Sequence, residues 1–148
     1  MIAVDSDVFV IDLRYPRDPK SKDNKAFTEE LVQSGRGATT IFNLLEICGI
    51  LSYNLNREQL HSLFHYFPKR YNLKILPEHS PRYLPRLPLP RVRKVIARKT
   101  ALGDALILSL LESYTDVKLI VSWNVKHLQD RIDVEVLTPT EALERGIV

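Results

Sequence analysis

Short apolar runs along this chain alternate with longer segments in which apolar residues recur every three or four positions. The runs "IAV", "LKIL", "KLIVS" and "VEVLT" are brief and almost continuous, which is typical of buried strands. The segments "REQLHSLFHYF" and "ALGDALILSLLESY" have helical spacing, and the second is apolar on nearly all sides. This alternation predicts a three-layer α/β/α sandwich around a mostly parallel central sheet.

Capping residues and helix breakers set the boundaries of the predicted elements. Thr39 or Thr40 caps a helix in "ATTIFNLLEICGILSYNL", and Asn56 caps the next helix, which Pro68 follows. Strands are predicted at about residues 2–5, 73–77, 118–122 and 134–138, and helices at about residues 7–14, 23–33, 38–55, 57–67, 91–98, 101–114, 125–130 and 139–146. The chain contains no internal repeat, so we predict a single domain over residues 1–148.

Composition narrows the class of protein. Of the 148 residues, 45% are hydrophobic and 26% are charged, and no charge-free apolar run approaches the length of about 18 residues that spans a bilayer. The single cysteine, Cys48, excludes an internal disulfide framework and suits a reducing compartment. No basic segment precedes the first apolar run, so we expect no signal peptide. These features predict a cytoplasmic protein with no membrane partner.

Basic residues and prolines are concentrated in one segment. The net charge is only +3, but seven of the 21 basic residues and five of the nine prolines lie in residues 77–99. Prolines disfavour helix at their own and the preceding position, so the segment should be extended as far as about Pro90 and helical after it. A basic stretch of this kind is compatible with a polyanionic partner.

Three acids stand in apolar stretches. Asp5 ends the first predicted strand, Glu46 interrupts "IFNLLEICGIL", and Asp104 interrupts "ALGDALILSLL". Ligands of open α/β sheets bind beyond the carboxyl ends of the strands, where Asp5 is expected. Acids buried together repel one another and lose hydration unless a cation lies between them. Mg²⁺ suits such a set, because it binds one or two carboxylates together with waters.

Each acid also has a purely structural interpretation. Asp7, which follows a strand and precedes a helix, suits an N-cap; if it faces inward instead, it adds a fourth charge behind the site. Glu46 suits the exposed side of a helix. Asp104, near a helix start, stabilises the helix dipole. The combination of the acids, rather than any one of them, favours a metal site.

An ordered set of motifs carries a family resemblance over almost the whole chain. The pieces are "VDSDVFV", "TTIFNLLEI", "LGDALILSLL", "IVSWNVKHL" and "VEVLTPTEAL". In order, spacing and total length the chain resembles a PIN-domain nuclease, and within that family a VapC-type toxin of a toxin–antitoxin pair. The resemblance implies a PIN-like fold, a small antitoxin partner and a homodimer.

The resemblance also implies the chemistry of the site. The corresponding acids of the family bind Mg²⁺ or Mn²⁺ and hydrolyse phosphodiester bonds, usually in RNA. It follows that Asp5, Glu46 and Asp104 are the metal-binding and catalytic acids. Asn124 joins the catalytic set at a position where many members have a fourth acid, and Ser122 provides a supporting hydroxyl two residues earlier. Asn124 is expected just past the strand "KLIVS", at the same sheet edge as Asp5.

The middle of the chain departs from the family pattern. Relatives have a regular helix before the third acid, whereas this chain has "EHSPRYLPRLPLPRVRK". We predict that its arginines hold RNA phosphates, and the alternatives are a solvated loop or a contact with a partner protein. The predicted RNA-binding residues are Arg82, Arg86, Arg91 and Arg93.

Two other functions compete with the nuclease. A PIN-like module that binds RNA or protein without cutting is compatible with the neutral Asn124. Asp5 and Asp7 also resemble the D-x-D motif of haloacid-dehalogenase-type phosphatases. That family needs a second acidic pair, often G-D-x-x-x-D, and here Leu108 occupies its last position.

Overall fold

The computed structural model describes residues 1–78 and 84–148, which form five strands and eight helices. The strands are β1 (Ile2–Val4), β2 (Gly37–Thr40), β3 (Lys74–Leu76), β4 (Leu119–Val121) and β5 (Glu135–Leu137). The helices are α1 (Ser6–Arg14), α2 (Ser21–Ser34), α3 (Ile41–Leu51), α4 (Arg57–Arg70), α5 (Leu89–Ile96), α6 (Leu102–Leu111), α7 (Val125–Leu128) and α8 (Pro139–Glu144). No helix in these two described stretches is both long and apolar enough to cross a membrane.

All five strands are parallel and form one sheet in the order β3-β2-β1-β4-β5. The first strand of the chain is therefore the central one. It pairs with β2 on one side and with β4 on the other, so that Ala3 lies opposite both Ala38 and Ile120. Helices flank the sheet, and the predicted α/β/α sandwich is confirmed.

Alternate side chains of each strand enter separate cores on the two faces of the sheet. Ile2 and Val4 pack with residues of α1, α2, α3, α4 and α8, including the fully buried Phe9. Ala3 and Ile120 pack on the opposite face with residues of α5, α6 and α7. A sheet that is covered on both sides explains why its strands read as continuous apolar runs rather than as alternating ones.

The prediction that residues 38–40 begin a helix is wrong, because these residues form most of β2. All four β2 residues are buried between β1 and β3, which supply backbone partners on both sides. A Cβ atom on Gly37 would lie 3.1 Å from the Leu31 side chain and 3.2 Å from that of Leu73, so glycine permits this close packing. Here tertiary pairing outweighs the weak strand propensity of "GATT". Thr40, one of the two predicted caps, is the N-cap of α3.

Two prolines lie inside helices rather than beyond them. Pro68 was predicted to follow its helix, but α4 continues through it to Arg70. Pro90 lies in the first turn of α5, where a proline removes no intrahelical hydrogen bond, so α5 begins two residues before the predicted start at Arg91. Arg82, one of the predicted RNA-binding residues, lies outside the described residues.

Candidate active site

The candidate site lies where the chain connections within the sheet reverse direction. From β1 the chain continues to β2 and β3 on one side, and it then crosses to β4 and β5 on the other. In open parallel sheets, ligands bind outside the carboxyl ends of the strands at such a point. Asp5 follows β1, and Ser122 follows β4. The Ser122 hydroxyl donates a hydrogen bond of 2.8 Å to Asp5 Oδ2, which closes the gap between the two strand ends.

Uncharged donors hold both carboxylate oxygens of Asp5. Besides the Ser122 contact on Oδ2, Oδ1 accepts from the Ser6 backbone N–H at 2.8 Å and from Asn43 Nδ2 at 3.0 Å. The Ser6 contact makes Asp5 the N-cap of α1, with extended backbone angles of φ −79° and ψ 161°. The interpretation of Asp7 as the N-cap is therefore wrong, because the helix begins one residue earlier than predicted.

Asp7 lies in the first turn of α1 and shares the same serine. Its Oδ2 accepts from Ser122 Oγ at 3.1 Å, so the structure brings together the two residues that were predicted to support the site. A hydroxyl carries one hydrogen, so Ser122 cannot fully satisfy Asp5 and Asp7 at the same time. Asp7 Oδ1 is buried and accepts no hydrogen bond from the described residues. The second carboxylate is therefore incompletely satisfied.

The two aspartates disfavour each other's charge. Burial raises the pKa of Asp5 to about 7, and the charge of Asp7 adds to the shift, while hydrogen bonds from Ser122 and Ser6 oppose it. Burial also raises the pKa of Asp7, against the Ser122 hydroxyl, the nearby backbone N–H groups of Trp123 and Val8, and the charge of Lys20. A carboxylate pair of this kind is stabilised in its charged form by a bound cation.

Glu46 reaches the site through Ser6. The Ser6 hydroxyl, on the buried side of α1, donates to Glu46 Oε2 at 2.5 Å. The Glu46 side chain is exposed despite its apolar sequence context, because it projects from α3 at the surface. Glu46 is therefore linked to the aspartates and open to solvent.

Asp104 approaches the site from the other face of the sheet. It is partly buried in the first turn of α6, as its helix-start position predicted. Asp104, Asp5 and Asn43 line one small cavity, whose remaining walls include Ile107 and Leu108 of α6. An acid from α6 thus faces the same space as the acid after β1.

The donor chemistry fits a hard divalent cation, although the acids are not gathered around one point. No three Asp, Glu, His or Cys side chains within residues 1–78 and 84–148 form a group able to hold a metal ion. The site nevertheless offers carboxylate oxygens, which Mg²⁺ and Mn²⁺ prefer, and one of them, Asp7 Oδ1, has no hydrogen-bond donor there. The metal set of Asp5, Glu46 and Asp104 stays a prediction.

Asn124 lies just past β4, at the sheet edge where it was expected. Its backbone N–H donates to Ser122 Oγ at 2.9 Å, and Ser122 in turn donates to Asp5 and Asp7, so two hydrogen bonds connect the Asn124 backbone with these acids. The side chain is exposed and does not cap α7, although Asn124 occupies the N-cap position of that helix. The side-chain amide is thus not engaged in capping.

Sequence reasoning missed Ser6 and Asn43. Both side chains are buried, and they connect Asp5 with Glu46. A signal was present for Asn43, which lies three residues after Thr40 and three before Glu46, on adjacent turns of one helix face. Ser6 carried no comparable signal, because its contact depends on how α1 and α3 pack.

The predicted RNA-binding arginines that are described lie in or just before α5. Arg86 and Arg93 are exposed, and Arg91 is partly buried. Val92 and Val95 form the buried side of the helix, so the basic side chains alternate with its core contacts. This exposure is compatible with contacts to a polyanion but does not test them.

Comparisons with known proteins support the fold. A chain of the VapBC-1 complex from nontypeable Haemophilus influenzae superposes with a TM-score of 0.63 at 16% identity, covering 95% of this chain and 99% of that one. The chain has a PIN-domain fold. PIN-fold chains of VapBC2 from Rickettsia felis, bound to a promoter DNA fragment, and of FitAcB from Neisseria gonorrhoeae superpose with TM-scores of 0.61 and 0.60, each at 18% identity. They cover 93% and 94% of this chain, and 98% of each matched chain. No protein-family model and no curated protein matches the sequence.

The PIN fold confirms the resemblance seen in the sequence at the level of architecture. The structural neighbours come from toxin–antitoxin complexes. At identities of 16–18% such a likeness establishes the fold alone. The activity has to be argued from the residues of this chain.

Proposed function

We propose that this chain is a metal-dependent endoribonuclease and the toxin of a toxin–antitoxin pair. The observation that carries the proposal is the Ser122 hydroxyl, which contacts Asp5 at 2.8 Å and Asp7 at 3.1 Å where the sheet connections reverse. Glu46 joins this pair through Ser6, and Asp104 lines the adjoining cavity. Acids at this edge could hold a divalent cation, which would offset the negative charge of a phosphodiester and assist its hydrolysis.

The residues that would hold Mg²⁺ or Mn²⁺ are Asp5, Glu46 and Asp104, with the Asn124 amide oxygen as a neutral neighbour. When bound, such an ion lowers the pKa of an attacking water and stabilises the leaving oxygen of the phosphodiester. Three donors fix the Asp5 carboxylate in one orientation. Glu46 is exposed and therefore accessible to RNA. The chain needs no covalent intermediate with its substrate.

The proposed toxin role also implies the binding partners of the chain. A small antitoxin would restrain the enzyme, as the toxin–antitoxin origin of the structural neighbours suggests. Arg86, Arg91 and Arg93 would bind RNA phosphates together with Arg82. We further propose a homodimer that acts in the cytoplasm, where RNA is the abundant polyanion.

Replacing Asp104 tests the activity. Asp104→Asn should abolish Mg²⁺- or Mn²⁺-dependent RNA cleavage and leave the melting temperature unchanged or higher, because an acid of the site loses its charge. Asp130→Asn, which neutralises an exposed acid in the turn after α7, is the matched control and should cleave normally. Cleavage that survives both Asp104→Asn and excess chelator would overturn the proposal.

A binding module without activity is the second candidate. It is favoured by the neutral Asn124 and by the lack of a ready three-acid cluster in the described residues. Tight RNA binding with no cleavage at any Mn²⁺ concentration would select it. A haloacid-dehalogenase-type phosphatase would instead form a covalent aspartyl-phosphate. That function lacks its second acidic pair, since Leu108 is fully buried in the core.

A further inference from the structure

We propose that Asn43 is a positioning residue that orients Asp5 and Glu46 together, and that Thr40 fixes the orientation of the Asn43 amide. The inference deepens the proposed function and rests on it. Asn43 is neutral and touches neither substrate nor metal. Its proposed role is to set the placement of Asp5 relative to Glu46.

One amide nitrogen serves both acids. Asn43 Nδ2 donates to Asp5 Oδ1 at 3.0 Å and to Ser6 Oγ at 3.0 Å. Ser6 passes its own hydrogen to Glu46 Oε2 at 2.5 Å. The two hydrogens of the Asn43 amide are therefore used on Asp5 directly and on Glu46 through a single hydroxyl. A rotation of this amide would release both acids at once.

The oxygen of the Asn43 amide is also engaged in two hydrogen bonds. Asn43 Oδ1 accepts from the Thr40 backbone N–H at 3.2 Å and from the Thr40 hydroxyl at 2.6 Å. A backbone N–H can only donate, so exchanging the amide oxygen and nitrogen would bring two donors together. The Asn43 backbone N–H donates to the Thr40 hydroxyl oxygen at 3.1 Å. Because this oxygen accepts from the backbone, the hydroxyl hydrogen points to the amide oxygen. The chemistry of Thr40 thus admits one orientation.

Hydrogen bonds through Asn43 and Thr40 connect the acids to the sheet. Thr40 is the last residue of β2 and the N-cap of α3, while Asp5 follows the neighbouring strand β1. Asn43 is only 1% exposed, so it cannot contact RNA. A residue with this position should influence metal binding and the rate of the chemical step, and it should leave the affinity for RNA unchanged.

The chain offers a matched control in Asn24. It is also 1% exposed, and its amide is engaged at both ends, with Nδ2 on the Val8 carbonyl at 3.0 Å and Oδ1 on Trp123 Nε1 at 2.7 Å. Its amide makes no hydrogen bond to an acid. Asn24→Ala therefore removes an equally buried amide and leaves the hydrogen bonds that the described residues make to Asp5 and Glu46 in place.

The test is a calorimetric titration of Mn²⁺ into wild type and four variants, together with their melting temperatures. Asn43→Ala should weaken Mn²⁺ binding by about 10–100-fold, the usual effect of losing a residue that orients a ligand. Asn24→Ala should lower the melting temperature but keep the wild-type affinity. Thr40→Val should weaken binding less than Asn43→Ala does, because the amide loses the hydroxyl donor and keeps only the backbone N–H of residue 40, and Thr40→Ser, which keeps the hydroxyl, should not weaken it. In cleavage assays Asn43→Ala should lower kcat with KM for RNA unchanged.

The outcomes separate this inference from the function on which it rests. If wild type binds no Mn²⁺, the proposed function fails and the inference fails with it. If wild type binds and the Asn43→Ala and Thr40→Val variants bind equally well, only the inference is overturned. If Asn43→Ala does not fold, the comparison of Thr40→Val with Thr40→Ser decides, because neither side chain touches an acid. Equal affinities in that pair would overturn the role of Asn43.

Discussion

At the residue scale, the Ser122 hydroxyl makes three of the hydrogen bonds of the site. It is fully buried, it contacts two carboxylates, and it accepts the backbone N–H of Asn124. With a single hydrogen to donate, it leaves the pair of aspartates short of donors. Burial and then the charge of Asp7 raise the pKa of Asp5 to about 7, and the Ser122 hydrogen bond opposes this shift only in part.

That shift predicts a pH dependence of stability in the metal-free protein. Between the ordinary value of 3.8 and about 7, folded Asp5 keeps a proton that the unfolded chain has released. The free energy of unfolding should therefore decrease as pH rises through this range, and the Asp5 contribution should level off above it. The total decrease should be on the order of a few kcal/mol. Urea unfolding in the presence of chelator, measured from about pH 4 to 8, checks the slope.

Asp5→Asn identifies the group responsible. This variant should be more stable than wild type near pH 8 and should lose most of the decrease with pH. Asp130→Asn removes an exposed acid and should retain it. A decrease of the same size in Asp5→Asn and wild type would assign the titration to another group.

A substitution at Asn124 can add a negative charge near Asp5 and Asp7. Asn124→Asp should tighten Mn²⁺ binding and lower the Mn²⁺ concentration that gives half-maximal cleavage, since a residue whose backbone contacts Ser122 gains a negative charge. Calorimetry on both proteins measures the affinity. Asn54→Asp, at an exposed position after α3, controls for net charge and should have no effect. Identical affinities would place the Asn124 side chain outside the metal site.

At the scale of elements, the sequence predicted those whose signals are local. Four of the five strands and all eight helices were expected close to where they lie, because apolar periodicity and caps such as Asn56 and Thr40 mark them. Strand β2 was missed, since the four residues of "GATT" have no local strand signal and are defined by their neighbours. The same distinction holds at the site. Asp5, Glu46 and Asp104 stood out as acids in apolar runs, whereas Ser6 and Asn43 matter only through contacts between elements.

Helix α5 should determine how strongly RNA binding depends on salt. Replacing Arg91 and Arg93 together with glutamine should raise KM for RNA and reduce the slope of log affinity against log salt by about one for each RNA phosphate that the helix no longer neutralises. Filter binding or anisotropy over a range of salt concentrations measures the slope. Arg17 and Arg57, two exposed arginines elsewhere, form the control pair. An unchanged slope in the Arg91/Arg93 variant would assign α5 to a solvated or protein-binding surface.

At the scale of the whole molecule, the toxin assignment predicts an effect on cell growth. Expression of this chain alone should slow growth, and co-expression of its antitoxin should restore it. The Asp104→Asn variant should be harmless at the same expression level, because it would fold but not cleave RNA. Growth curves and protein levels measured in parallel decide the matter. Unimpaired growth with an active wild-type enzyme would contradict the toxin role while leaving the nuclease intact.

The central position of β1 determines when during synthesis the site can exist. The Asp5–Ser122 hydrogen bond joins residues 117 positions apart, and the two strands that carry them are neighbours. A ribosome delivers Asp5 first, 117 residues before Ser122. Until β4 leaves the exit tunnel, β1 has its β2 partner at most, and Asp5 and Asp7 lack the Ser122 hydroxyl. If the chain is the nuclease proposed above, a growing chain should therefore be unable to cut the messenger that encodes it until β4 has joined the sheet.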